Sequence, residues 1–132
     1  MGDWNTPPDL RYTDENEWVK LENGEAVTGV TDYAQDQLSD IVFVELPQVG
    51  DKFSQGDSFG VVESVKAASD VYMPVGGEIV AANTELEDAP ELINDDPYGV
   101  GWMIRIKPSN PAEFDDLLDG AGYAAAVAEE EG

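Results

Sequence analysis

Short apolar runs punctuated by Pro and Gly dominate the chain between residues 11 and 108. The runs at 17–21, 26–30, 41–46, 58–65, 71–73, 78–81 and 102–106 are rich in the β-branched and aromatic residues that fit a pleated, half-buried surface. Pro47 with Gly50, Gly56-Asp57, Pro74 with Gly76-Gly77, and Pro108 mark the breaks between them. The spacing predicts a mainly β fold, a compact sandwich or barrel. Three stretches carry helical signals instead. Thr31 is a candidate cap for a helix over 32–38, and residues 88–93 predict a turn or two of helix. Asn110-Pro111-Ala112-Glu113 is a capping-box-like start with Pro at the first helical position, continuing through Phe114, Leu117 and Leu118 to Gly120. An Ala-rich stretch over 123–131, with Tyr123 and Val127 four apart, predicts a C-terminal helix docked on the barrel with a frayed acidic end. Residues 1–10, with Thr6-Pro7-Pro8-Asp9, read as an extended lead-in to a β core over 11–108. Residues 109–132 read as a helical extension of the same single domain.

A weak internal repeat refines this picture. Gly24-Glu25-Ala26-Val27-Thr28-Gly29-Val30-Thr31 lines up with Gly77-Glu78-Ile79-Val80-Ala81-Ala82-Asn83-Thr84, matching at Gly, Glu, Val and Thr. Each copy runs into an acid and a helical stretch, then into an apolar strand ending at Pro47 or Pro108. Two similar β halves predict a quasi-symmetric sandwich, because each half alone leaves one apolar face wet. The segment 56–73 lies between the two copies and is the natural place for an exposed, special feature.

Charge and composition narrow the function. The chain has 132 residues, 6 Lys+Arg against 29 Asp+Glu, and a formal charge of −23, with no Cys and no His. A Ser-His-Asp or Cys-His nucleophile, a zinc or haem site with nitrogen or sulfur ligands, and a disulfide framework are therefore excluded. The acids run from Asp3 to Glu131, interleaved with apolar residues, so they form a charged surface and not a disordered block. Spread over roughly 6,800 Å² of folded surface, they repel across a Debye length of ~10 Å at about 0.1 M salt and far less at about 1 M, where it falls to ~3 Å. The expectation is a protein fitted to concentrated salt, from a halophile. Nucleic acid and anionic membrane are poor partners for such a field. The start MGDWNTPPDL has neither a basic region nor an apolar run, and no stretch reaches membrane-spanning length, so the expected location is the cytoplasm.

Within the central segment, Ser58-Phe59-Gly60-Val61-Val62-Glu63-Ser64 and Ala68-Ser69-Asp70-Val71-Tyr72-Met73 flank a reversal near Val65-Lys66-Ala67. Gly, Asn, Asp and Pro, the usual reversal residues, are absent until Ser69-Asp70, so ease of bending did not choose this sequence. Lys66 is one of four lysines in a chain that almost excludes cations, and the pattern sets it at a hairpin tip.

The stretches Thr28-Gly29-Val30-Thr31-Asp32-Tyr33-Ala34-Gln35, Asp40-Ile41-Val42-Phe43-Val44-Glu45-Leu46-Pro47 and Val62-Glu63-Ser64-Val65-Lys66-Ala67-Ala68-Ser69-Asp70-Val71 resemble the H proteins of the glycine cleavage system. Residues 94–98, Gly101-Trp102-Met103-Ile104 and Ile106-Lys107-Pro108 extend the resemblance in order, from about Tyr12 to the C-terminal helix. The resemblance implies a carrier and not a catalyst. It implies a biotinyl/lipoyl-type barrel-sandwich hybrid of two quasi-symmetric halves, with Lys66 as the lysine that takes lipoate in amide linkage. Glu63, Ser64, Val65 and Ala67 are then the hairpin residues that a modifying enzyme reads. Arginine is no substitute for the primary amine, and the cofactor supplies the sulfur that this chain lacks. The implied partners are a lipoate ligase or transferase and three proteins of the system. These are the pyridoxal-phosphate-dependent P protein, which decarboxylates glycine and loads an aminomethyl group, the T protein, which moves the one-carbon unit to tetrahydrofolate, and the L protein, a dihydrolipoamide dehydrogenase. Glu17 and Asp70 are candidates for a carboxylate-lined groove that shelters the loaded arm from water. The family usually carries His at the position of Asn16.

Other readings fit less well. Biotin carriers typically set their lysine between two methionines, whereas Val65 and Ala67 flank Lys66. Lipoyl domains of 2-oxo-acid dehydrogenases usually place Asp before the lysine and lack a C-terminal helical extension. A carboxylate-based hydrolase needs a cleft and one carboxyl of raised pKa. The pairs Asp95-Asp96 and Asp115-Asp116 do not make a calcium-loop spacing, so no metal site is expected. Gly120-Ala121-Gly122-Tyr123-Ala124-Ala125 matches a dinucleotide fingerprint in form only, with no room for a βαβ unit after it.

Overall fold

In the computed structural model, which describes residues 4–131, two antiparallel sheets enclose the core. The strands are β1 (Arg11–Tyr12), β2 (Glu17–Glu22), β3 (Glu25–Val30), β4 (Ile41–Glu45), β5 (Lys52–Phe53), β6 (Ser58–Ser64), β7 (Ala68–Tyr72), β8 (Gly77–Ala82) and β9 (Ile104–Pro108). One sheet has the order β1-β2-β3-β9-β8-β5 and the other β4-β6-β7. Helix α1 (Asp32–Leu38) joins β3 to β4, α2 (Glu85–Asp88) and α3 (Leu92–Asp95) lie between β8 and β9, and α4 (Gly120–Glu131) closes the described chain. The β2–β3 turn is Asn23-Gly24, with φ of 55° and 81°, the positive angles that tight hairpins demand and that Asn and Gly accept most readily. Between the sheets, Val19, Ile41, Val62, Met73, Ile79 and Ile106 are among the residues of one apolar core. A second cluster, with Tyr12, Trp18, Tyr33 and Tyr123, lies under α4.

The two copies of the repeat, β3 and β8, flank β9 on either side. Their environments then diverge. Thr31 caps α1, its hydroxyl accepting the Ala34 N–H at 3.2 Å, whereas Thr84 precedes α2 without a side-chain cap bond. The return strands also differ, since β9 joins both copies in the larger sheet and β4 pairs with β6 in the smaller one.

Several elements depart from the sequence expectation. The helix expected over 88–93 is two separate turns, because Pro90 forces Ala89 out of the helical region, to φ −136° and ψ 67°. The helix expected from Asn110 to Gly120 is a 3₁₀-helix, Pro111–Asp116, capped by Asn110 as anticipated. Leu117 then turns extended so that Leu118 can exchange two backbone hydrogen bonds with Tyr12, each 2.8 Å. Trp102 and Met103 precede β9 and do not belong to it; the Asn83 amide takes the Trp102 carbonyl instead. The two-residue strands β1 and β5 carry too short a pattern to be read. Of the extended lead-in, residues 1–3 lie outside the described residues.

Candidate functional site

Strands β6 and β7 pair as far as Glu63 and Ala68, and the chain reverses over Ser64, Val65, Lys66 and Ala67. Ser64 makes the turn. Its hydroxyl accepts the N–H groups of Lys66 and Ala67, each at 3.1 Å, and its own N–H donates to the Ala67 carbonyl at 2.7 Å. The reading that no residue here favours bending therefore overlooked Ser64, whose side chain supplies the acceptor that a backbone carbonyl gives in other turns. Val65 donates its N–H to the Asp40 carbonyl at 3.1 Å, which fixes the tip against the start of β4. Glu63, Val65, Lys66 and Ala67 are exposed and Ser64 is half-buried. Among the described residues Lys66 makes no ion pair, although the chain carries 29 acids.

Glu17 opens β2 and is only 2% exposed. The Thr13 hydroxyl donates to its Oε1 at 2.6 Å and the Tyr72 N–H donates to its Oε2 at 3.1 Å. The carboxyl thus joins the β1–β2 turn to the end of β7. Burial raises Glu17 from the ordinary 4.5 to about 7, against the two hydrogen bonds, with Asp14 and Glu15 adding to the rise. Near neutral pH it is thus only partly ionised. Asp70 lies exposed on β7, four residues beyond Lys66. Glu17 and Asp70 come together along one cavity of about 160 Å³, walled also by Asn16, Ala34, Leu38 and Val62. Lys66 does not line it. A second hollow of about 310 Å³ opens on the other side of Glu17, toward Gln55, Tyr72, Pro74 and Leu117.

Sequence reasoning missed what holds the cavity. Asn16 takes a left-handed conformation, φ 68°, and its Oδ1 accepts the Tyr123 hydroxyl at 2.9 Å. Tyr123 and Thr31 share a further hydrogen bond of 2.7 Å. The only signal for Tyr123 in the sequence is its helical spacing to Val127, which marks burial but not a partner.

An exposed primary amine on a braced turn is suited to acylation and to reaching large partners. Among the described residues no group of His, Cys, Asp or Glu is arranged to hold a metal, and no helix is long and apolar enough to cross a membrane.

Comparison with known proteins agrees with this geometry. Residues 10–130 match the family model "Glycine cleavage H-protein". The chain is 56% identical over 126 residues to glycine cleavage system H protein 2 of Pseudomonas putida, covering 95% of this chain and 98% of the relative. It is 54% identical over 125 residues to the glycine cleavage system H protein of Symbiobacterium thermophilum, with the same coverage of 95% and 98%. The crystal structure of a glycine cleavage system H protein from Mycobacterium marinum superposes with a TM-score of 0.86 at 38% identity, over 92% of this chain and 98% of that one. With a family match across nearly its whole length, the chain belongs to the glycine cleavage H-proteins, the non-catalytic lipoyl carriers of the glycine cleavage system.

Proposed function

We propose that Lys66 is the residue of this carrier that takes lipoate, in amide linkage on its Nζ. The observation that carries the assignment is an exposed amine at a braced hairpin tip, without a carboxylate partner among the described residues of a strongly acidic chain. Residues Glu63, Ser64, Val65 and Ala67 form the surface that the lipoate ligase or transferase meets. When attached, the group supplies a disulfide that accepts an aminomethyl unit, gives it up and is reoxidised. The protein's part is to display it to the P, T and L proteins in turn. A tethered arm raises the local concentration of the cargo at each of them without tight docking. Intact-mass analysis after enzymatic lipoylation tests the assignment: one lipoyl amide on the protein, mapped to residue 66 and lost in Lys66→Arg. Modification of Lys20, Lys52 or Lys107 in its place refutes it.

Glu17 and Asp70 accept the cationic end of the loaded arm in the smaller cavity. Opposite a cation Glu17 becomes fully ionised, because a nearby positive charge favours the carboxylate. The apolar walls, Ala34, Leu38 and Val62, limit the water that reaches the carried group. Loaded protein with Glu17→Gln and Asp70→Asn should lose its one-carbon unit faster than the parent, and an unchanged rate removes this role.

The same reading takes residues 1–132 as one carrier domain that acts in the cytoplasm of a halophile. Its support is the net charge of −23, with only Lys20 and Arg105 paired to carboxylates among the described residues. Its melting temperature should rise by several degrees from dilute to molar KCl as the repulsion is screened, and a flat response counts against adaptation to salt.

A further inference from the structure

Three walls meet at the smaller cavity. The β1–β2 turn contributes Asn16 and Glu17, helix α1 contributes Ala34 and Leu38, and the β6–β7 hairpin contributes Val62 and Asp70. Glu17 ties the first wall to the third through the Tyr72 N–H. The first and second walls are joined by the end of the β2–β3 ladder, where Glu17 pairs with Val30 and Thr31 N donates to the Asn16 carbonyl at 3.1 Å, and by a second connection from outside the cavity. That connection is the hydroxyl of Tyr123 on α4. It donates to Asn16 Oδ1 at 2.9 Å and meets the Thr31 hydroxyl at 2.7 Å, and that Thr31 hydroxyl in turn caps α1 at Ala34.

We propose that Tyr123 is a positioning residue whose hydroxyl braces the two walls and so sets how closed the cavity is. The ladder end joins the two walls along one line, and a side-chain link off that line fixes the angle between them. The phenol is well placed for this. It is 1% exposed, and its ring stacks on Tyr12 at 4.6 Å with 7° between the planes, so it cannot drift with the helix end. Burial holds its pKa far above the ordinary value, with the carboxyl of Glu130 adding to the rise, so the donor to Asn16 is present at every physiological pH. Without the hydroxyl, the wholly buried Thr31 side chain keeps the Ala34 N–H but loses the acceptor for its own O–H, and Asn16 loses the contact that orients its amide. Water or an outward tilt of the turn then satisfies both. The C-terminal helix, 107 residues from Asn16, thereby governs the environment of Glu17.

The inference rests on the proposed sheltering role of the cavity, and two readouts keep the two separable. The first is independent of any cofactor: carbon-13 NMR titration of the Glu17 carboxyl in full-length, unmodified protein. Thr13 and Tyr72 donate to this carboxyl, while Asp14 and Glu15 on its own turn, Asp70 on β7 and Asp116 across the larger hollow are acids that share a cavity wall with it. Tyr123→Phe keeps all of these and admits water, so the midpoint should fall toward the ordinary range by about one unit. The second is the loss of the one-carbon unit from loaded protein, expected to quicken about fivefold, the factor that ~1 kcal/mol represents. Asn16→Gly, which tolerates the positive φ, should move both in the same direction and add little to Tyr123→Phe. Val127→Ala loosens α4 without touching the hydroxyl and should lower the melting temperature with the Glu17 midpoint unmoved. An unmoved midpoint in Tyr123→Phe, or an equal shift in Val127→Ala, overturns the brace. A lowered midpoint with an unchanged rate of loss upholds the brace and overturns the sheltering role.

Discussion

The hairpin tip and the aromatic cluster under α4 sit in one small fold and are built on opposite terms. At the tip, Val65, Lys66 and Ala67 are exposed and are held through backbone groups and the Ser64 hydroxyl. In the cluster, Tyr12, Trp18 and Tyr123 are at most 1% exposed, and each polar atom has a partner: Tyr12 donates to Pro7 O, the Trp18 indole to Pro97 O, and Tyr123 to Asn16. The tip contributes little burial to the fold and the cluster contributes much. A carrier needs this division, because the group it displays must face solvent while the rest of the chain supplies the rigidity that aims it.

The contrast has graded consequences for stability. Trp18→Ala leaves a cavity at a wholly buried site and orphans the Pro97 carbonyl, so it should cost about 3–5 kcal/mol, read as a fall in the denaturant midpoint. Glu17 lies between the two regions, and its effect depends on pH. Its folded pKa, about 7, is above the ordinary 4.5, so its contribution is complete below pH 4.5 and is lost as pH rises through 7. Glu17→Gln removes that loss. Above pH 8 the variant should be more stable than the parent by on the order of 3 kcal/mol, with the difference vanishing near pH 4 in denaturant titrations at a series of pH values. Ser64→Ala should cost about 1 kcal/mol and slow lipoylation severalfold, since the turn loses the acceptor for two N–H groups, as a timed mass assay would record. Lys66→Arg should leave the melting temperature within about 1 °C of the parent, as for other exposed substitutions, while carrier activity in the reconstituted system falls to background.

Most strands were legible because their apolar runs are long enough to show a pattern and are bounded by Pro or Gly. The Thr31 cap was legible because a hydroxyl one residue before a helix has a local purpose. Lys66 stood out by rarity and position. Local rules failed where a distant partner decides the outcome. Leu117 and Leu118 keep helical spacing, yet Leu118 leaves the helix to pair with Tyr12, 106 residues earlier in the chain. Glu17 and Asp70 stand out in the sequence by charge alone, and only the fold brings them to one cavity and shows that one is buried and the other exposed. The Tyr123–Asn16 contact joins the two ends of the chain, and no local pattern encodes it.

Because the turn at residue 66 is secured by its neighbours, an arm that swings free from the proposed lysine leaves the folding equilibrium unchanged. A covalent appendage that touches neither the folded nor the unfolded chain gives no linkage to stability, unlike a ligand that binds the native state alone. Bare and acylated molecules are therefore indistinguishable to any quality-control machinery that senses unfolding, whereas a loaded arm seated against Glu17 and Asp70 adds a contact that only the native state makes. The ratio of bare to acylated chains in a cell is a kinetic quantity, set by the enzymes that write the tag.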